Sequence, residues 1–466
     1  MSIDKIKENN SYKDLPSRFY EHKSADKFHN IELIKFNHKL ADKILSIDTT
    51  ACSNKELTDV FSGQIDSTIF ANISQVYAGH QFGHFSPRLG DGRALLLMEV
   101  LNDKEQRHDI HLKGSGATMY SRRGDGKSSL GPVLREYILC EAMHYLQVPT
   151  TRALAAFKTG QKVQRERMLD GGIFARVARS HIRVGTFEYF ASTQDYEGLK
   201  LLADYSIKRH YPQLLNDSNK YINFLLAIAN KQALMVSKWM SLGFIHGVMN
   251  TDNMLISGET IDYGPCAFMD RYSKDKVFSS IDQNKRYAYS NQIEIAKWNL
   301  YRFASTLIPI IDEDSDKAIE ILKDSLKDID KQYQRILTKE MNKKMGLTTN
   351  CEMDIINLFL EELEHKQMDF TISFKELTYS PEKFKDFRFY NEWQKENPSI
   401  ELMKKTNPHF IPRNHQVELA IQHAYEGNFQ SFNLLCEAIK TPYSANAPYE
   451  RAPSEKQVIT QTFCGT

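Results

Sequence analysis

GFIHGVMNTDNMLISGETIDYG, residues 243–264, follows an apolar helix predicted at 222–240 and breaks its period abruptly. The stretch reads as a loop and then two short strands, 254–256 and 260–262, turning at Ser257 and Gly258. His246 and Asn253 stand seven residues apart, Asp252 sits beside Asn253 at the mouth of the hairpin, and Asp262-Tyr263-Gly264 closes it. Taken alone, an ordinary helix, turn and hairpin with polar caps has the same composition. The surrounding residues decide between the two readings.

Upstream, a strand over 109–112 ends at Lys113, and a helix opened by Pro132, running to about 147, carries Glu136 one turn in. Gly90-Asp91-Gly92-Arg93 precedes a strand at 94–100, and a second glycine loop holds Asp125 and Gly126. Arginines crowd these loops and the strand that follows, at Arg93, Arg122, Arg123, Arg176, Arg179 and Arg183; guanidinium forks match phosphate oxygens. Protein kinases use this order: a strand lysine on the phosphates, a helix glutamate that orients it, a His-loop-Asn, and an Asp-x-Gly whose Asp holds magnesium with the Asn. Each residue singly has a commoner surface role. The full order is what points to a nucleotide site. Val248 occupies the position of the kinase base and cannot accept a proton, whereas Asp252 in the same loop can.

The whole chain sets the bounds. Its 466 residues exceed one ordinary domain, and 41% hydrophobic with 26% charged residues describes a globular protein. A net charge of +1 gives no global attraction to nucleic acid or membrane. The opening MSIDKIKENNSYKDLP lacks an apolar run, which predicts no signal or transit peptide and a cytoplasmic location. Lys231 and Lys238 interrupt the apolar helix, so it is expected in a core and not in a bilayer. Six scattered cysteines show neither zinc nor disulfide spacing.

Helices are predicted at 36–47 and 66–76, then strands and glycine turns through 77–131, and strands at 151–158, 162–169 and 173–190. Helices follow at 293–308, 315–338, 352–364 and 416–439, with the basic stretch 317–344 read as a solvated surface. The expectation is an α+β chain with a protein-kinase-like two-lobed fold and N- and C-terminal extensions. A strand-rich lobe spans 1–190 and a helical lobe spans 191–466.

YAGHQFGHFSPRLGDGRA, HLKGSGATMYSRRGDGKSSLGPVLREY, FARVARSHIRVGTFEYF, HGVMNTDNMLISGETIDYGPCAFMD and NPHFIPRNHQVELAI together resemble the selenoprotein O family, also called YdiU, of protein adenylyltransferases. The resemblance runs over nearly the whole chain. It implies a kinase-like fold without the usual catalytic Asp, ATP bound in a flipped orientation, and transfer of AMP to Ser, Thr or Tyr of target proteins. It further implies that Gly90, Gly92 and Arg93 lie along the nucleotide, that Asp125 and Gly126 face the adenosine, and that Lys113, Arg176 and Arg183 hold the terminal phosphates. Glu136 would orient Lys113, Asn253 and Asp262 would ligate magnesium or manganese, and Asp252 would take the proton of the target hydroxyl. Protein substrates are the expected partners of a monomer, with neither nucleic acid nor membrane. Family members often carry selenocysteine or cysteine near the C-terminus, where Cys464 stands here; 274–289 holds no cysteine to pair with it, and the nearest is Cys266. A phosphotransferase and a catalytically dead ATP-binding scaffold are the alternatives, and the retention of both metal-type ligands argues against the scaffold.

Overall fold

The computed structural model describes residues 6–348 and 353–463. Its strands are β1 Tyr20–His22, β2 Glu32–Phe36, β3 Ile73–Gln75, β4 Gly79–Gln81, β5 His84–Ser86, β6 Ala94–Leu101, β7 Arg107–Lys113, β8 Ser128–Ser129, β9 Arg152–Gln164, β10 Met168–Ala178, β11 Phe244–Ile245 and β12 Ala267–Phe268. Its helices begin with α1 His38–Lys43, α2 Asn54–Phe61, α3 Leu130–Tyr145, α4 Val184–Ser192, α5 Tyr196–His210, α6 Lys220–Ser241, α7 Gln292–Ile311 and α8 Ser315–Leu326. They continue through α9 Ile329–Lys344, α10 Asp354–His365, α11 Phe370–Tyr379, α12 Tyr390–Lys395, α13 Ile400–Thr406, α14 Asn414–Tyr425, α15 Gln430–Ala438 and α16 Ala447–Glu450.

Eight strands form one antiparallel sheet in the order β1-β3-β6-β7-β10-β9-β2, with β8 alongside β10. Alternation along β7 divides its side chains between two faces. Ile110 and Leu112 enter an apolar core shared with Leu57 and Phe61 of α2. Asp109, His111 and Lys113 point the other way, and the register sets His111 opposite Arg176 of β10. On that second face α3 packs across β9 and β10, and its apolar residues join a much larger core with α4 to α7 and the later helices. The chain is thus a mixed α/β protein with an antiparallel sheet.

Several sequence expectations need correction. No helix forms at 66–76; β3 occupies its end, and the nearby helix is α2, opened by a capping box between Ser53 and Glu56. The strand expected through 190 stops at Ala178, and α4 takes over from Val184, its aromatic and branched residues buried by tertiary packing. The 254–256 and 260–262 hairpin does not pair with itself. Asp262 has φ 64°, a left-handed conformation that breaks an extended run. Its flanks bridge outward instead, Thr260 to Thr150 and Leu255 to Arg183. The 315–338 helix divides into α8 and α9, and 416–439 divides at Gly427, φ 86°, into α14 and α15. The basic stretch is not wholly solvated, since Lys344 is buried.

No helix among the described residues is long and apolar enough to cross a membrane. Cys52, Cys140, Cys266 and Cys436 are free thiols. Cys464 lies outside the described residues.

Candidate active site

Lys113 ends β7 facing α3, and its Nζ donates to Glu136 Oε2 at 2.6 Å and to Asp262 Oδ1 at 3.0 Å. The sheet thereby meets the loop of 243–264 through one ammonium group. Burial alone would lower the Lys113 pKa, but the Asp262 and Glu136 carboxylates hold it above its ordinary value. Arg176 donates from Nη1 to the other Glu136 oxygen at 2.9 Å, so a single carboxylate orients both cations. Burial works against ionised Asp262 too, yet Lys113 and Arg93 keep it well below the usual carboxylate range.

The loop is ordered from beneath by His246. Its Nε2 lies 2.8 Å from the carbonyl of Ile261 and donates to it, leaving Nδ1 to accept from the Val248 amide at 3.3 Å. The ring stacks on Trp239 at 5.1 Å. Asn253 then donates from Nδ2 to the Val248 carbonyl at 3.0 Å and to Asp262 Oδ2 at 3.3 Å. Val248 therefore supplies a backbone acceptor where an acid would supply a side chain.

Asp252 sits in the one-turn 3-10 helix Thr251–Asn253. Its Oδ2 accepts from Gln81 at 3.2 Å, while Oδ1 is buried with no hydrogen-bond partner. Burial pushes its carboxyl up to about 6, against the nearby Arg183 charge. Arg183 donates to the Asp252 carbonyl at 2.8 Å, pairs with Asp91 at 3.5 Å and lies over the Tyr77 ring at 4.3 Å.

These groups open onto a cleft of about 460 Å³. Every site residue expected from sequence lines it, Gly90, Gly92, Arg93, Lys113, Asp125, Gly126, Arg176, Arg183, Asp252, Asn253 and Asp262, with Glu136 one bond behind Lys113. Gly126 has φ 66°, and a Cβ there would meet the backbone of Gly116 and Ala117 at 2.2 Å, so only glycine lets the second loop close back on its own start. Asp125 is tied to Arg165 at 2.9 Å on the outer rim. Arg122 lines the cleft, whereas the Arg179 amide is turned to Glu259.

The chain's order does not reveal a buried ladder behind the Lys113 and Arg176 side of the cleft. Asp91 accepts from His111 at 3.1 Å, His111 stacks on His181 at 4.1 Å, and His181 meets Asp109 at 3.0 Å. Asp109 in turn pairs with Arg209 of α5 at 2.6 Å. The alternation Asp109, His111, Lys113 along one strand was its visible signal.

Asn253 and Asp262 present oxygens at one wall of the cleft, with an orphan Asp252 oxygen in the same loop. Such a hard donor set fits magnesium or manganese, which keep most of their coordination for water and phosphate. No cluster of three or more His, Cys, Asp or Glu suited to a metal occurs among the described residues.

An ammonium, five guanidinium groups and two glycine loops around a carboxylate pair are equipment for handling anions. The comparisons with known proteins define the class as nucleotidyltransferase. The protein nucleotidyltransferase YdiU of Clostridium perfringens is 46% identical over 98% of this chain and 97% of its own length. The proteins of the same name from Rhizobium meliloti and Bacillus cereus are each 45% identical, over 98% of this chain and 99% and 98% of theirs. A family model described as protein adenylyltransferase SelO matches residues 3–392. The chain belongs to the SelO family, and it is an enzyme.

Proposed function

We propose that the cleft binds ATP with magnesium, or manganese, and transfers AMP to a Ser, Thr or Tyr hydroxyl of a target protein, releasing pyrophosphate. The observation that carries this reading is the Lys113, Glu136 and Asp262 constellation facing Asp252, whose buried Oδ1 has no partner. Lys113, Arg176 and Arg183 bind the β and γ phosphates, where negative charge grows as pyrophosphate departs, and cations fixed in advance stabilise that charge without reorganising. Glu136 keeps two of them aimed. Arg93 and the glycines at 90 and 92 lie along the nucleotide, and Asp125 and Gly126 face its adenosine end.

Asn253 and Asp262 hold the metal, which when bound neutralises phosphate oxygens and polarises the reacting phosphorus. Asp252, which lines the cleft, accepts the proton of the attacking hydroxyl, and the raised pKa makes it a stronger acceptor than an exposed aspartate. Val248 leaves the kinase base position apolar, which favours a different approach of the hydroxyl from that of phosphoryl transfer.

The sheet with α3, and the helices beyond it, support a kinase-like pair of lobes divided near residue 190, with the cleft at the division. A cytoplasmic monomer acting on proteins completes the reading. Product analysis tests it: pyrophosphate should accumulate in step with modified protein, while ADP formed in step with it would replace AMP transfer by phosphorylation.

A further inference from the structure

Arg176 stands opposite His111 in the register of β10 against β7, and its guanidinium is tethered at every nitrogen. Nη1 donates to Glu136 at 2.9 Å, Nη2 to His111 Nδ1 at 3.3 Å and Nε to His181 Nε2 at 3.2 Å. Those bonds leave an N–H on each terminal nitrogen, and Arg176 lines the cleft. Such an edge is the fork that matches a pair of phosphate oxygens.

A guanidinium donates and never accepts, so both imidazole nitrogens facing it are lone pairs. His111 therefore carries its proton on Nε2, which donates to Asp91 at 3.1 Å, and His181 carries its own on Nδ1, which donates to Asp109 at 3.0 Å. The two buried rings, stacked at 4.1 Å, thus hold opposite tautomers. Both must be neutral, because an imidazolium has no lone pair to offer. Burial holds both below the ordinary histidine value; around His111 the charges of Arg176 and Arg183 help it against Asp91, and around His181 those of His111 and Arg176 help it against Asp109.

The arrangement spares the charge of Arg176. Glu136 already serves Lys113 and Arg176 together. A further carboxylate directly on Arg176 would cancel charge that phosphates need, whereas a neutral imidazole fixes its direction and leaves the charge in place. Asp91 and Asp109 stand a ring further away.

We propose that His111 and His181 are positioning residues: as neutral acceptors of opposite tautomer, they aim the free edge of Arg176 at the β and γ phosphates. The proposal rests on the AMP-transfer reading, which places Arg176 on those phosphates.

The test uses the full-length protein and calorimetry with ATP or AMP in magnesium buffer. His181→Phe keeps a ring against His111 and removes the acceptor, while Asp109 keeps Arg209 and the backbone amide at position 181, at 2.6 and 2.9 Å. ATP affinity should fall by about tenfold, the scale of one hydrogen bond to a charged group, and AMP affinity by about twofold or less. His181→Gln, with a carbonyl oxygen able to reach the place of Nε2, should recover most of the loss. In an Arg176→Ala background His181→Phe should cost about twofold or less, because the group it acts through is gone. The full cost persisting in that background, or equal losses for ATP and AMP, overturns the proposal in favour of a role in the fold alone. Imidazole nitrogen spectra of the wild-type protein at neutral pH do not depend on how any variant folds. They should show His111 protonated on Nε2 and His181 on Nδ1; an imidazolium, or a shared tautomer, overturns the proposal. Protein-bound γ label overturns AMP transfer and leaves the tether of Arg176 standing, whereas ATP binding that Arg176→Ala does not weaken removes the phosphate role and the proposal with it.

Discussion

Asp262 meets two demands at once: its carboxylate faces Lys113 and Asn253, and its backbone turns left-handed at φ 64°. Asparagine tolerates that backbone about as well as aspartate, so Asp262→Asn removes charge without adding strain. The variant should fold and lose metal-dependent nucleotide binding in calorimetry, by about tenfold or more in affinity, because magnesium prefers an anionic oxygen. Equal affinity with and without metal in both proteins would count against Asp262 as a ligand. Asp252→Asn should behave differently. Nucleotide binding should persist while transfer falls by about a hundredfold or more, the pattern of a group that acts on a proton. Loss of binding in parallel with transfer would make Asp252 a nucleotide contact instead.

Among the elements, β7 and α3 were legible because strand alternation and a first-turn glutamate are local patterns, and they delivered Lys113 and Glu136 to one another. The hairpin after Asn253 was not. Whether residues 254–262 pair with themselves depends on partners at Thr150 and Arg183, about a hundred residues away at the most, and on one left-handed residue. For the same reason the ladder from Asp91 through His111 and His181 to Arg209 leaves only a partial trace in the sequence, since its members come from one strand, two loops and a helix. Helix α9 shows how a charged stretch misleads: Lys344 packs over the Phe374 ring at 4.2 Å, and burial pushes its amine down to about 7. Between that value and the ordinary lysine range, the unfolded chain holds a proton that the folded chain does not. Stability should therefore rise with pH across this window, by up to about 1.4 kcal/mol per pH unit from this group, with the full penalty present below it. Lys344→Met should be more stable than wild type at pH 7, and denaturant titrations should show the difference shrinking toward pH 10. Parallel curves would mean that Lys344 is solvated.

At the scale of the molecule, the C-terminal helices bear on the site without reaching it. Arg135 of α3 bonds Asn414 at 3.1 Å and pairs with Glu418, both on α14, and the Gly131 amide donates to Tyr425 at 2.9 Å. Glu136 follows Arg135, so α14 steadies the helix that aims Lys113 and Arg176. This buttress lies beyond the stretch matched by the family model, which ends at residue 392. Glu418→Ala combined with Tyr425→Phe should cost about 1–2 kcal/mol in stability and weaken nucleotide binding severalfold. Lower stability with unchanged affinity would show that α3 holds its place unaided. The sequence could expose the motifs of the cleft but not this support, because ion pairs across nearly three hundred residues leave no periodic trace.

AMP transfer itself is tested most directly by which phosphorus of ATP becomes protein-bound. With label at the α position, a target protein, or the enzyme when no target is present, should acquire it on Ser, Thr or Tyr together with the mass of AMP. Label at the γ position should remain in pyrophosphate. Protein-bound γ label would contradict AMP transfer in favour of phosphorylation, and failure of both labels across several metals and targets would leave a nucleotide-binding scaffold.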